Sequence, residues 1–358
     1  MIEGTTYQSF RDDYLKTYHP EAAVEAGRFN DVSIVDSTEV LKRWVDGDDE
    51  KGEERRQALK GLASKKLIFI PDHSSIKKLK DVAETNQDLS SICDEIAVYV
   101  EFCSAIGSQN FSFEPLLLLG EPGVGKTYVA NELVAALGLE SYKLSVSDAC
   151  EAFYLSGTQR GYANSTPGRV ADRMAASKHA NPVLILDEID KASFNREDGR
   201  PSLLSPLLQL LEPDSARTFR DLSLDVQIDC SRVSYICTAN NLETIPKPLL
   251  SRLRVIDVRK PSKENMVKIA SKILSQTYAQ MTGSSMPKEY VISPCATELI
   301  SAITPRDFKL QARRIVSQLA IAKPDSERYV VTKECLQFVE HQERASFIGF
   351  VDTNSVRA

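Results

Sequence analysis

The sequence predicts an α/β protein: a parallel sheet covered by helices on both faces, followed by a small C-terminal helical domain. Short, wholly apolar runs such as Leu116–Leu119 and Val183–Leu186 alternate with segments of helical periodicity, the pattern of strands buried on both sides. A glycine-rich turn, Gly120–Thr127, joins one such run directly to a helical segment. After Pro261 helical spacing takes over and the strands largely stop.

The elements follow in order. Residues 1–84 read as an N-terminal appendage of short amphipathic stretches around the charged run Asp46–Arg56, with no repeat and no catalytic pattern. Leu89, Ile92, Ile96 and Val100 recur at helical spacing, so a helix over Leu89–Ala105 leads into the main domain, residues 85–260. There, strands are expected at Leu116–Leu119, Tyr142–Val146, Val183–Leu186 and Val233–Thr238. Helices are expected at Thr127–Leu137, stopped by Gly138, and at Gly168–Ser177 and Ser202–Leu211. Residues 261–358 carry helical spacing over Lys263–Met281, Pro294–Ala302, Pro305–Ala322 and about Thr332–Ala345.

With 358 residues, the chain is long enough for two or three compact units. Its apolar runs are far shorter than the roughly 20 residues a membrane helix needs, and Met1–Tyr14 lacks a signal-peptide pattern, so a cytoplasmic location and no membrane contact are expected. A net charge of −6 argues against a broad nucleic-acid surface. Seven cysteines in apolar contexts, without a C-x-x-C pair, read as reduced core thiols, and the four histidines have no metal-ligand spacing.

Gly120-Glu121-Pro122-Gly123-Val124-Gly125-Lys126-Thr127 fits G-x-x-x-x-G-K-[ST], with a strand before it and a helix after it. Its glycines let successive backbone N–H groups point into one concavity at a helix N-terminus, which cradles phosphate. Lys126 then reaches the β- and γ-phosphates of ATP, and Thr127 ligates Mg²⁺. The second element is Val183-Leu-Ile-Leu-Asp187-Glu188, an apolar strand delivering two carboxylates at its carboxyl end. Asp187 suits the magnesium ion, and Glu188 suits polarisation of the attacking water.

Together with Leu186–Lys191, Gly157–Ala163, Pro167–Arg169, Leu207–Pro213, Thr238-Ala-Asn240 and Ile245–Arg252, these motifs resemble the AAA+ ATPase module of the Lon proteases over roughly residues 85–320. The resemblance implies an AAA+ P-loop fold with a helical lid. It implies that Asn240 is the sensor-1 group and that Arg252 is the arginine finger reaching a neighbouring subunit, with Arg254 as its rival. Arg306, in Thr304-Pro-Arg306, matches the sensor-2 arginine. Tyr162 matches the pore-loop aromatic that grips polypeptide, and Phe194 is a second pore-loop candidate. It further implies Mg²⁺-dependent ATP hydrolysis by a homo-oligomeric ring, a hexamer in the family, acting on a polypeptide substrate or with a separately encoded effector protein. A nucleotide-switched scaffold and a DNA-associated ATPase are the alternatives. Residues after the lid are too few for the Lon Ser-Lys protease domain, so peptide cleavage is not expected, and Asn86–Leu89 departs from the family's adenine-side turn.

Overall fold

The computed structural model describes residues 31–43, 50–146, 152–159, 165–192, 194, 202–283, 288–324 and 326–336. They divide into two compact units, one formed by residues up to 120 with 126–258, the other by 121–125 with the residues from 259 onward.

The first unit opens with β1 (Asp31–Val32), α1 (Ser37–Arg43), α2 (Glu50–Ala63), β2 (Lys66–Leu67), α3 (His73–Thr85) and α4 (Ser90–Ile106). It continues with β3 (Leu116–Leu119), α5 (Lys126–Leu137), β4 (Ser141–Ser145), α6 (Phe153–Ser156), α7 (Arg169–Ala176) and β5 (Val183–Asp187). Next come α8 (Leu204–Leu210), α9 (Pro213–Ala216), β6 (Phe219–Asp221), β7 (Val226–Ile228), β8 (Ser234–Ala239), α10 (Lys247–Leu250) and β9 (Arg254–Asp257). The central sheet has the order β4-β5-β8-β3-β9, and every pairing is parallel. Leu117, Leu118, Val183 and Leu184 are fully buried, as continuous apolar runs require when both sheet faces are covered.

Register brings the carboxyl ends of three strands together. Leu119 of β3 lies opposite Ala239 of β8, and Leu186 of β5 lies opposite Cys237. Gly120, Asp187 and Asn240 therefore leave the sheet along one edge, where open α/β sheets place their ligands.

The N-terminal segment departs from the expectation of an appendage. In its described part, Ile34, Val40, Leu59, Leu62 and Ile68 share one core with Leu144, Val170, Leu184 and Leu186. Lys66 reaches the C-terminal end of α7, where its Nζ donates to the carbonyls of Ala175 at 3.0 Å and Ser177 at 2.5 Å. Those carbonyls have no partner within the helix and attract a cation. Burial pushes the ammonium pKa of Lys66 down to about 8. Asn181 stitches the same segment down, donating to the carbonyls of Phe69 and Phe111 and accepting from Phe69 N–H.

The second unit contains α11 (Lys263–Thr282), β10 (Glu289–Ile292), α12 (Pro294–Ala302), α13 (Pro305–Ala322) and β11 (Arg328–Val331). Met266, Ile269, Ile273, Phe308 and Ile315 form its core at helical spacing, with Tyr290 and Tyr329 stacked at 5.2 Å between centroids. The strands do not stop in this region, because β10 and β11 pair in parallel. The helix expected near Thr332 begins as a single 3-10 turn, Lys333–Leu336, and residues 337–358 lie outside the described residues. Among the described residues no helix is long and apolar enough to cross a membrane. Cys93, Cys103, Cys230 and Cys237 are buried free thiols, whereas Cys295 is exposed, against the expectation of core thiols throughout.

Candidate nucleotide site

The loop after β3 has the backbone its sequence requires: Gly123 and Gly125 adopt φ of 86° and 104°, a region that side chains with a Cβ rarely enter. Gly120 N–H donates to Ala239 O at 3.2 Å, tying the loop to the neighbouring strand. Helix α5 begins at Lys126, so the loop ends where the N–H groups of a helix N-terminus point outward.

Lys126 is 8% exposed, and its Nζ donates to Gly120 O at 2.7 Å and to Asn240 Oδ1 at 2.8 Å. Burial lowers its pKa despite the opposing pull of the Asp190, Asp187 and Glu188 carboxylates. The lysine is thus a buried cation facing three acids across the carboxyl edge of the sheet. Thr127 Oγ1 donates to Asp187 Oδ1 at 2.9 Å. Burial disfavours the charged form of Asp187, but hydrogen bonds from Lys143, Thr238 and Thr127 outweigh it and hold the carboxyl below its ordinary pKa. Lys143 Nζ lies 2.6 Å from Asp187 Oδ2.

Glu188 adopts φ 59° and ψ 49°, the left-handed region, at a cost of order 1–3 kcal/mol for a residue with a side chain. Its carboxylate pairs with Lys191 at 2.7 Å, which raises the lysine pKa. Its N–H donates to Thr238 Oγ1 at 3.0 Å. Asp190 accepts the backbone N–H groups of Asn240 at 3.0 Å and Asn241 at 3.3 Å on one oxygen, and its other oxygen is buried without a partner. Two direct side-chain hydrogen bonds, Lys126–Asn240 and Thr127–Asp187, therefore lie at the same end of the sheet, and Glu188 is one residue beyond Asp187 on its strand end.

Arg252 lies beyond α10. Its Nε pairs with Glu212 at 2.9 Å and its Nη1 donates to Pro248 O at 2.8 Å. Arg254, on edge strand β9, is held by Glu95, Glu114 and Ser91. Those bonds, with the guanidinium foremost, bring the Glu95 pKa down to about 2. Arg306 is exposed in the first turn of α13. That helix start is fixed by Thr304, whose Oγ1 accepts from Asp307 N–H at 3.2 Å and donates to its carboxylate at 2.7 Å. Tyr162 lies outside the described residues. Phe194 is 6% exposed within the core of the first unit, so it is a packing residue and not a pore-facing aromatic.

Sequence reasoning assigned no role to Thr238, Asp190 or Lys143. Asp190 is part of the matched motif, and Lys143 sits on the strand face that places it diagonally opposite Asp187, since Lys143 pairs with Ile185 and Ser145 with Asp187. Asp221 was also missed. It is fully buried and accepts from the N–H groups of Gly168, Ser223 and Leu224, and burial raises its pKa to about 6. Together with the bond from Leu222 N–H to Ser156 O, it secures both flanks of the segment that contains Tyr162.

Among the described residues no group of three His, Cys, Asp or Glu side chains is placed to hold a metal ion. A hydroxyl beside an ionised carboxylate, as at Thr127 and Asp187, is nevertheless a hard-oxygen pair of the kind magnesium uses alongside phosphate and water.

The sequence model described as "ATPase family associated with various cellular activities (AAA)" matches residues 116–261. The mitochondrial Lon protease homologue of Candida glabrata is 31% identical over 307 residues, covering 82% of this chain and 29% of that protein. The mitochondrial Lon protease homologue of Kluyveromyces lactis is 33% identical over 223 residues, covering 62% of this chain and 19% of that protein. The chain thus spans less than a third of the length of these relatives. A solved structure of a single-site variant of Thermotoga maritima RuvB overlaps with a TM-score of 0.43 at 17% identity, covering 71% of this chain and 70% of that one.

Proposed function

This chain carries an AAA ATPase module of the Lon type, and from that premise we propose that it hydrolyses ATP, with Mg²⁺, as a ring-forming remodeller of polypeptides or as a motor for a separate effector protein. The observation that carries the reading is the pair of side-chain hydrogen bonds Lys126–Asn240 and Thr127–Asp187 at the carboxyl ends of adjacent strands, with Glu188 following Asp187. Lys126 and the backbone N–H groups from Gly123 to Thr127 bind the phosphates. Thr127 and Asp187 would hold Mg²⁺, which when bound would neutralise charge on the phosphate oxygens. Glu188 takes the proton of the attacking water, and Asn240 orients that water once its Oδ1 exchanges Lys126 for it.

Arg252 is assigned as the finger for a neighbouring copy. Arg254 is saturated by two carboxylates of its own subunit, whereas Arg252 has one exposed carboxylate and one carbonyl to release. Arg306 is assigned to the γ-phosphate, from the lid.

The remodelling half of the proposal rests on Tyr162, since aromatic faces grip an extended chain without regard to sequence. Tyr162→Ala is expected to leave basal ATP hydrolysis within about 2-fold of wild type and to abolish ATP-driven unfolding of a weakly folded fluorescent reporter protein. Unfolding at the wild-type rate by this variant would replace the threading reading with a nucleotide-switched scaffold.

A further inference from the structure

We infer that Thr238 is a positioning residue for ATP hydrolysis, acting on the backbone of Glu188; the inference rests on the ATPase reading of this site. Thr238 is 1% exposed, and its hydroxyl has a single proton, donated to Asp187 Oδ1 at 2.6 Å. The same oxygen accepts the Glu188 N–H at 3.0 Å. One hydroxyl thereby fixes two consecutive carboxylate residues.

The reason this matters lies in strand geometry. Successive side chains on an extended strand point to opposite faces, so a β5 that continued straight through residue 188 would send Asp187 and Glu188 to opposite sides of the sheet. The left-handed turn at Glu188 breaks that alternation at the carboxyl edge. A left-handed glutamate persists only where its surroundings impose it. Two bonds do so here: the Thr238 hydroxyl on its N–H, and the Lys191 N–H on its carbonyl at 3.1 Å, which closes the following 3-10 turn. Asp190 closes the structure in the reverse sense, reaching from the β5 end to the N–H groups of Asn240 and Asn241. The strand ends carrying the base and the water-orienting amide are thus bound to each other twice, once by Thr238 and once by Asp190.

Thr238→Val removes the hydroxyl and preserves shape, and Thr238→Ser keeps the hydroxyl and loses a methyl. The valine variant is expected to lower kcat for ATP about 100-fold, the scale of a small misplacement of a catalytic group, with affinity for a fluorescent ATP analogue within about 3-fold of wild type. The serine variant is expected to restore kcat to within about 3-fold. Should the valine variant not fold, Thr238→Ala against Thr238→Ser gives the same contrast, since both lack the methyl and one keeps the hydroxyl. A kcat unchanged by hydroxyl loss, a serine variant as slow as the hydroxyl-free ones, or a loss of nucleotide affinity matching the loss of kcat would each overturn the inference. Failure of the wild-type protein itself to hydrolyse ATP would overturn the ATPase reading, and this inference with it, and is distinguished by that control.

Discussion

Glu188→Gln is expected to lower ATP hydrolysis by roughly 10²- to 10⁴-fold, the contribution of a positioned general base, while ATP binding stays within a few-fold of wild type. The substitution keeps the side chain's size and removes its charge. It leaves Thr127 and Asp187 in place, because Glu188 is tied to them through its backbone N–H and Thr238, not through its side chain. What the variant loses is the carboxylate paired with Lys191, a solvent-exposed contact that contributes little to stability, so unfolding does not account for lost activity. Phosphate release and equilibrium binding of a fluorescent nucleotide, measured side by side, check the split. Hydrolysis at the wild-type rate would remove Glu188 from the mechanism.

Arg252→Ala is expected to cost about 10³-fold or more in hydrolysis, the scale of an arginine that stabilises charge on a transferring phosphoryl group. Its ion pair joins a half-buried guanidinium to the exposed Glu212 carboxylate at the surface and contributes little to folding. The decisive experiment is mixing. A Lys126→Ala subunit binds ATP poorly and still presents Arg252, while an Arg252→Ala subunit binds ATP and lacks a finger to offer. Mixed rings are expected to recover activity that neither variant shows alone. A mixture as inactive as its components would place Arg252 within its own subunit's chemistry.

The site was legible where chemistry constrains backbone and side chain together. Gly120, Gly125, Lys126 and Thr127 form a motif because the positive φ at Gly125 and the phosphate's charge leave few residue types at these positions. The strands β3, β5 and β8 were legible because burial on both faces demands unbroken apolar runs. Thr238 was not, since a threonine within an apolar strand reads as a β-branched residue filling the sheet, and only the register with β5 shows its hydroxyl between Asp187 and Glu188. Phe194 misled for the converse reason: an aromatic in a polar loop carries no local sign of whether it faces solvent or core.

The N-terminal segment shows the same limit at the level of the fold. Helix α1 buries Val40 alone, and α2 has a charged sequence with few apolar positions, so neither shows strong periodicity. Their place in the core depends on partners such as Val170 and Leu184, more than a hundred residues away in the chain. Strands β6, β7, β10 and β11 have three or four residues each, too short for an alternation to stand out from loop sequence.

The central claim is that Gly120–Thr127 and Asp187–Glu188 form an ATP-hydrolysing site completed by a neighbouring copy. Its most direct test is the rate of phosphate release per subunit with Mg²⁺ and saturating ATP, measured across a wide range of wild-type protein concentration. The account predicts a rate per subunit that rises with concentration to a plateau as rings assemble. A protein that binds ATP but releases no phosphate at any concentration, or whose rate per subunit is constant down to concentrations where it is shown to be monomeric, would contradict it.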